Sequence, residues 1–95
     1  FYAGSPVEMF QFTTEGKDQT ITVGNDIFND EVPQVIVPHG VWQGTKLKDP
    51  KEGDWALLGC TVSPGFELEN FHIESRSELI SKYPHLKEQI TRYTN

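Results

Sequence analysis

Several things are scarce in this chain of 95 residues, and each scarcity excludes something. Cys60 is the single cysteine, so no disulfide can close within the chain, and a reducing intracellular compartment, the cytoplasm, is expected. No apolar run approaches the ~20 residues a membrane-spanning helix needs, and a soluble globular chain is expected. Eight Lys and Arg stand against fourteen Asp and Glu, a formal charge of -6, and the cations are scattered. Nucleic acid is therefore not an expected partner, because affinity for a phosphate backbone rests on clustered positive charge. The opening "FYAGSP" has no charged segment followed by an apolar core, and no initiator Met. It reads as the middle of a structure: Phe1 and Tyr2 suit a strand, Gly4-Ser5-Pro6 the turn after it. A domain of this length buries only about 60 to 65% of its unfolded surface, so help from a partner subunit or from further chain would be unsurprising.

The residues that are present alternate with the period of β-structure. In "VEMFQFT", Val7, Met9 and Gln11 fall on one face and Glu8, Phe10 and Phe12 on the other, with apolar groups on both, as in a sheet covered on two sides. "TEGK" at 14–17 is a hairpin turn with Gly16 free to take positive φ, and "QTITV" is the return strand. The stretch 24–33 is loop chemistry, with Ile27 and Phe28 expected to tuck onto the core and Asp26, Asp30 and Glu31 exposed. Its oxygen ligands lack calcium-loop spacing. "VIVPHGVWQGTKL" at 35–47 reads as strand, turn, strand, and "WALLGCTVSPGF" at 55–66 as a further strand stopped by Ser63-Pro64-Gly65. Six or seven short strands with frequent turns predict an antiparallel sandwich or barrel. From Ser75 the period becomes helical: Ser75-Arg76-Ser77-Glu78 matches a capping box, and Leu79, Ile80, Tyr83, Leu86, Ile90 and Tyr93 follow at helical spacing, interrupted by Pro84.

Groups able to carry chemistry are few. His39, His72 and His85 form no His-x-His or His-x-x-x-His pair, so local metal chelation is not indicated. His85 reads as a surface residue and His72 as facing solvent or a polar rim. Cys60, amid apolar neighbours with no cation adjacent in sequence, is expected to be a passive core thiol, the alternative being a thiol facing a pocket. Trp42 and Trp55 are expected as core or interface anchors. Glu67, Glu69 and Glu74 show no acid–base spacing, and no phosphate loop, nucleophile elbow or dinucleotide fingerprint occurs.

"VPHGVWQG", then "LLGCTVSPGFELENF" and a terminal "YP" helix, resemble the cupin family DUF985 (cupin_5), over nearly the whole of this chain and as the C-terminal two-thirds of that domain. The resemblance implies an all-β fold, a cupin double-stranded β-helix or jelly roll incomplete at its N-terminus, with one or two short C-terminal helices and residues 1–95 as a single partial domain. It also implies a small-molecule cavity and pairing as homodimers. Gly4 matches the last glycine of the first cupin motif, which puts that motif's His and Glu residues before residue 1. In the second motif Pro38 and Gly40 match, Val32 stands where a glycine is expected, and Gln43 occupies the place of the metal-binding histidine. His39 is the variable residue between Pro and Gly. A carboxamide is a poor transition-metal ligand beside imidazole, so no metal and no cofactor is expected from this segment.

Gln43, Cys60 and Phe66 are accordingly the cavity candidates, Gln43 because it replaces the inward histidine and the others because they lie on the neighbouring matching segment. The reading placed first is a small-molecule-binding cupin taking a sugar-like or nucleotide-like ligand, with kinship to sugar-nucleotide epimerases or isomerases as one form of it. No catalytic base or acid is assignable, and whether the chain is an enzyme is left open. A non-catalytic structural or recognition cupin acting as a dimer is the alternative, and a metal-dependent cupin enzyme stands third.

Overall fold

The computed structural model describes residues 1–62 and 73–94. They fall into two compact units, Phe1–Leu58 and Gly59–Asn95, each taken by itself below. Among the described residues, no helix is long and apolar enough to cross a membrane.

In the first unit five strands form two small antiparallel sheets: β1 (Ala3–Gly4), β2 (Val7–Phe12), β3 (Asp18–Val23), β4 (Trp42–Leu47) and β5 (Ala56–Leu57). The larger sheet has the order β3-β2-β4, so β2 is paired along both edges. The hairpin between β2 and β3 closes as expected, with the Thr13 carbonyl accepting from Gly16 N at 2.9 Å and the Lys17 carbonyl from Thr13 N at 2.8 Å. Gly16 takes φ 85°, a conformation that penalises any residue with a Cβ. The alternation along β2 holds: Phe10 and Phe12 are buried on one face, Val7 and Gln11 on the other. The rings of Phe10 and Phe12 lie 5.6 Å apart, and Trp42 stacks on Phe12 at 6.5 Å, so one face is an aromatic layer.

The smaller sheet pairs β1 with β5. Gly4 sits there at φ 100°, and a Cβ on it would run into the Trp55 carbonyl and the Ala56 backbone. Ser5 N donates to Trp55 O at 2.7 Å and Tyr2 N to Leu57 O at 2.8 Å.

Several expected features are not found. Residues 35–37 are not a strand. Pro33 and Pro38, which lack the N–H a ladder needs, bracket them, and the Ile36 carbonyl accepts instead from the Gln11 side chain. Ile27 and Phe28 do not tuck in: they form a short 3-10 turn, and Phe28 is 94% exposed. The loop that carries them closes on itself, with Gly24 N donating to Val32 O at 2.9 Å and Val32 N to Thr22 O at 3.0 Å, so its interior hydrogen bonds hold it away from the core. Of the strand expected at 55–66, Ala56 and Leu57 are extended and paired, 58–62 are irregular, and 63–66 lie outside the described residues. The strands expected at 66–73 also lie largely outside them.

The second unit contains α1 (Arg76–Lys82) and α2 (Lys87–Tyr93), joined through a 3-10 turn at Pro84–Leu86. Ser75 caps α1 as its sequence predicts, its hydroxyl accepting from Glu78 N at 3.3 Å. Leu79, Leu86 and Ile90 are buried. Arg76 ties the start of α1 to the end of α2: its Nε donates to Thr94 Oγ1 at 2.8 Å and its Nη2 to Thr91 O at 3.2 Å, which satisfies carbonyl groups a helix C-terminus leaves open.

At the start of α1, Glu74 pairs with Lys82 at 3.1 Å. The pKa of Glu78 is raised, first by a hydrogen bond shared with the Glu74 carboxylate and then by repulsion from its charge; Lys82 and the Ser75 hydroxyl act in the opposite direction. A raised folded value means that Glu78 stabilises the folded chain fully below its unfolded pKa, and that this contribution is lost as pH rises through the folded value. Glu78→Gln keeps a neutral partner for Glu74 at every pH. Thermal melts across the acid range are therefore expected to show the variant gaining on the wild type as pH rises; a difference that is flat with pH would refute the shared proton.

Candidate functional site

Because β2 pairs with both neighbours in register, each position on it sets a row of three side chains on one face. Val7 lies between Val23 and Leu47, Met9 between Ile21 and Thr45, and Gln11 between Gln19 and Gln43. This face runs from an aliphatic end to a row of three carboxamides beside the Pro38–Gly40 turn. Gln11 is 2% exposed, the one polar residue among the buried described residues. Its Oε1 accepts from Gln19 Nε2 at 3.2 Å, and its Nε2 donates to the Ile36 carbonyl at 3.2 Å and reaches Met9 Sδ at 3.3 Å. A buried amide is stable only with such partners.

Gln43 stands at the end of this row, exposed, with its Oε1 accepting from Thr45 Oγ1 at 3.0 Å. It therefore shares its face with Gln11 and Gln19. Cys60 is not a core residue: it is exposed, in an irregular stretch outside any strand, so the expected burial is corrected. The alternation that suggested a buried thiol needs a ladder, and the ladder ends at Leu57. Phe66 and His72 lie outside the described residues. Gln43 and Cys60 belong to different units.

His39 is exposed at the turn, followed by Gly40 at φ 79°, and His85 is exposed as expected. Trp42 stacks on Phe12, while Trp55 is 59% exposed. For the metal that cupins commonly hold, this segment offers a poor fit: the second-turn position carries a carboxamide bonded to a threonine hydroxyl. Among the described residues no three His, Cys, Asp or Glu side chains converge.

Gln11 and Gln19 were not singled out by sequence, although the first pairing was legible. A hairpin with its turn at 14–17 places Gln11 opposite Gln19. The third member depends on β4 pairing with β2 across a long connection, which no local pattern announces. The two environments predict opposite sensitivities. Gln11→Ala leaves the Ile36 carbonyl without its donor and is expected to cost about 1–3 kcal/mol in urea unfolding. Gln43→Ala, at an exposed position, is expected to stay within about 0.5 kcal/mol of wild type. Equal losses would mean that the row is not built as described.

The model of the family described as Cupin superfamily (DUF985) matches residues 1–74. The crystal structure of protein SO0799 from Shewanella oneidensis superimposes on the whole chain with a TM-score of 0.90 at 30% identity. The chain spans 58% of that structure's length. No curated protein matches it in sequence. With the Pro-x-Gly turn leading into β4 and the matched family covering both sheets, the chain belongs to the DUF985 family of the cupin superfamily.

Proposed function

We propose that the chain is part of a cupin jelly-roll domain that binds a small sugar-like or nucleotide-like molecule without a tightly held metal, with Gln43 contributing to its cavity. The observation that carries this reading is the carboxamide row Gln19–Gln11–Gln43, whose end on β4 is the position that the resemblance gives to a metal-binding histidine in the second cupin motif. Carboxamides both donate and accept, and a few convergent polar groups among apolar walls are what small-molecule sites use to fix orientation. Kinship with sugar-nucleotide epimerases and isomerases is one form of this function. Catalysis there needs an acid and a base across the sugar ring, and none is assigned.

A second reading, a recognition or structural cupin acting as a homodimer, draws support from apolar groups left open in the first unit. Leu57 and Trp55 are 57% and 59% exposed beside the short β1–β5 sheet, and exposed apolar patches of this kind mark association surfaces.

Two measurements on the full-length protein test the first reading. Elemental analysis is expected to find well under one metal per chain in the wild type and more bound zinc after Gln43→His; one tightly bound iron, manganese or zinc per wild-type chain would overturn it. Calorimetric titration with a uridine diphosphate sugar is expected to show saturable binding that weakens about tenfold in Gln43→Ala, as expected for a lost polar contact of about 1.4 kcal/mol. Binding of that probe unaffected by Gln43→Ala would remove Gln43 from the site.

A further inference from the structure

A concavity of about 290 Å³ opens between the β2–β3 hairpin and the Pro38–Val41 turn, lined by Gln11, Phe12, Thr13, Lys17, Asp18, Gln19, Pro38 and Val41. Among the described residues, its lining includes neither Gln43 nor Cys60, and the lining residues named belong to the first unit. Its size is near the lower edge of the range used for small ligands, about 300–1,000 Å³.

The chemistry of its walls is selective. Gln11 is buried and held by three hydrogen-bonding contacts, so its Oε1 sits in a set position, and Gln19 is bonded to it. Thr13 Oγ1 is oriented by accepting from Lys17 N at 3.2 Å. Around these stand a cation, Lys17, and an anion, Asp18, consecutive in the chain. Adjacent opposite charges cancel over a short distance, so the pocket offers no net field to select a phosphate or an ammonium. It does offer donors and acceptors in mixture, two carboxamides, a hydroxyl, an ammonium and a carboxylate, against an apolar side formed by Phe12, Pro38 and Val41.

We propose that this pocket, separate from the Gln43 site, binds an uncharged polyhydroxylated molecule of monosaccharide size. Its hydroxyls meet Gln11, Gln19, Lys17 and Asp18, and its C–H face lies on Pro38 and Val41. Hydroxyl groups suit the walls because each can both donate and accept, whereas a pure anion would meet Asp18 and a pure cation would meet Lys17.

The test is an NMR titration of the full-length, isotope-labelled protein with glucose, galactose and mannose in turn, with inorganic phosphate and glycine as charged and zwitterionic probes. At least one sugar is expected to shift the side-chain amides of Gln11 and Gln19 and the Lys17 backbone amide saturably, with a millimolar Kd. Gln19→Ala is expected to weaken that binding about three- to tenfold, and because it also removes the donor to the buried Gln11 amide, its fold is checked by a urea melt and by the dispersion of its amide spectrum. Val41→Trp, which fills the pocket, is expected to abolish it. Gln43→Ala is expected to weaken it less than Gln19→Ala does, because Gln43 pairs with Gln11 but does not line the pocket. No saturable shift with any of the three sugars, or stronger shifts with phosphate or glycine, overturns the proposal. Sugar binding lost in Gln43→Ala but kept in Gln19→Ala overturns it too, while leaving the reading of the Gln43 site standing.

Discussion

The hydrogen-bonded register of β2 with both of its neighbours is the constraint on which the rest of the first unit depends. Side chains on a strand alternate with a period of two, so shifting either partner by one residue would move every group to the opposite face. In the observed register the aromatic residues Phe10, Phe12 and Trp42 share one face, and three glutamines share the other. A slip would scatter both sets. Gln11 guards this arrangement, because its buried amide is satisfied only when Gln19 lies opposite and the Ile36 carbonyl lies above.

Polarity along the glutamine face is graded. Val7, Val23 and Leu47 make one end oily, while Gln11, Gln19 and Gln43 make the other able to hydrogen-bond. The polar end is also where the chain turns tightly, at the β2–β3 hairpin and at Pro38–Gly40, so backbone turns and functional side chains are gathered together. This division lets one part of a small sheet hold the fold while the other presents hydrogen-bonding groups beside the turns. The second unit solves its own problem locally: Ser75 closes the start of α1, Arg76 takes up carbonyls at the end of α2, and Leu79, Leu86 and Ile90 are buried.

At the position where the cupin resemblance implies a metal-binding histidine, the chain carries Gln43. Imidazole offers a lone pair that binds transition metals strongly, whereas a carboxamide offers a weak oxygen ligand and an N–H donor. The turn keeps Pro38 and Gly40, which shape the backbone, while the side chain it delivers is suited to hydrogen bonding. Belonging to the cupin superfamily therefore does not by itself bring cupin metal chemistry to this position.

Features set by local hydrogen bonding and by side-chain period were readable from sequence alone: the hairpin at 14–17 with Gly16 at positive φ, the two-faced alternation of β2, the Ser75 cap and the two short helices that follow it. The turn at Pro38-x-Gly40 was readable too. Burial and long-range pairing were not. Whether Cys60, Ile27 and Phe28 are covered depends on what packs over them, and a run of apolar residues records only that covering would be favourable. Residues 35–37 have the composition of a strand, yet the prolines on either side deny them a ladder and Gln11 takes the Ile36 carbonyl. The row of three glutamines needed the tertiary structure for its last member, because β4 meets β2 only after an irregular connection whose path no periodicity specifies. Local chemistry chose the elements, and the non-local pairing of β4 decided which side chains share a face.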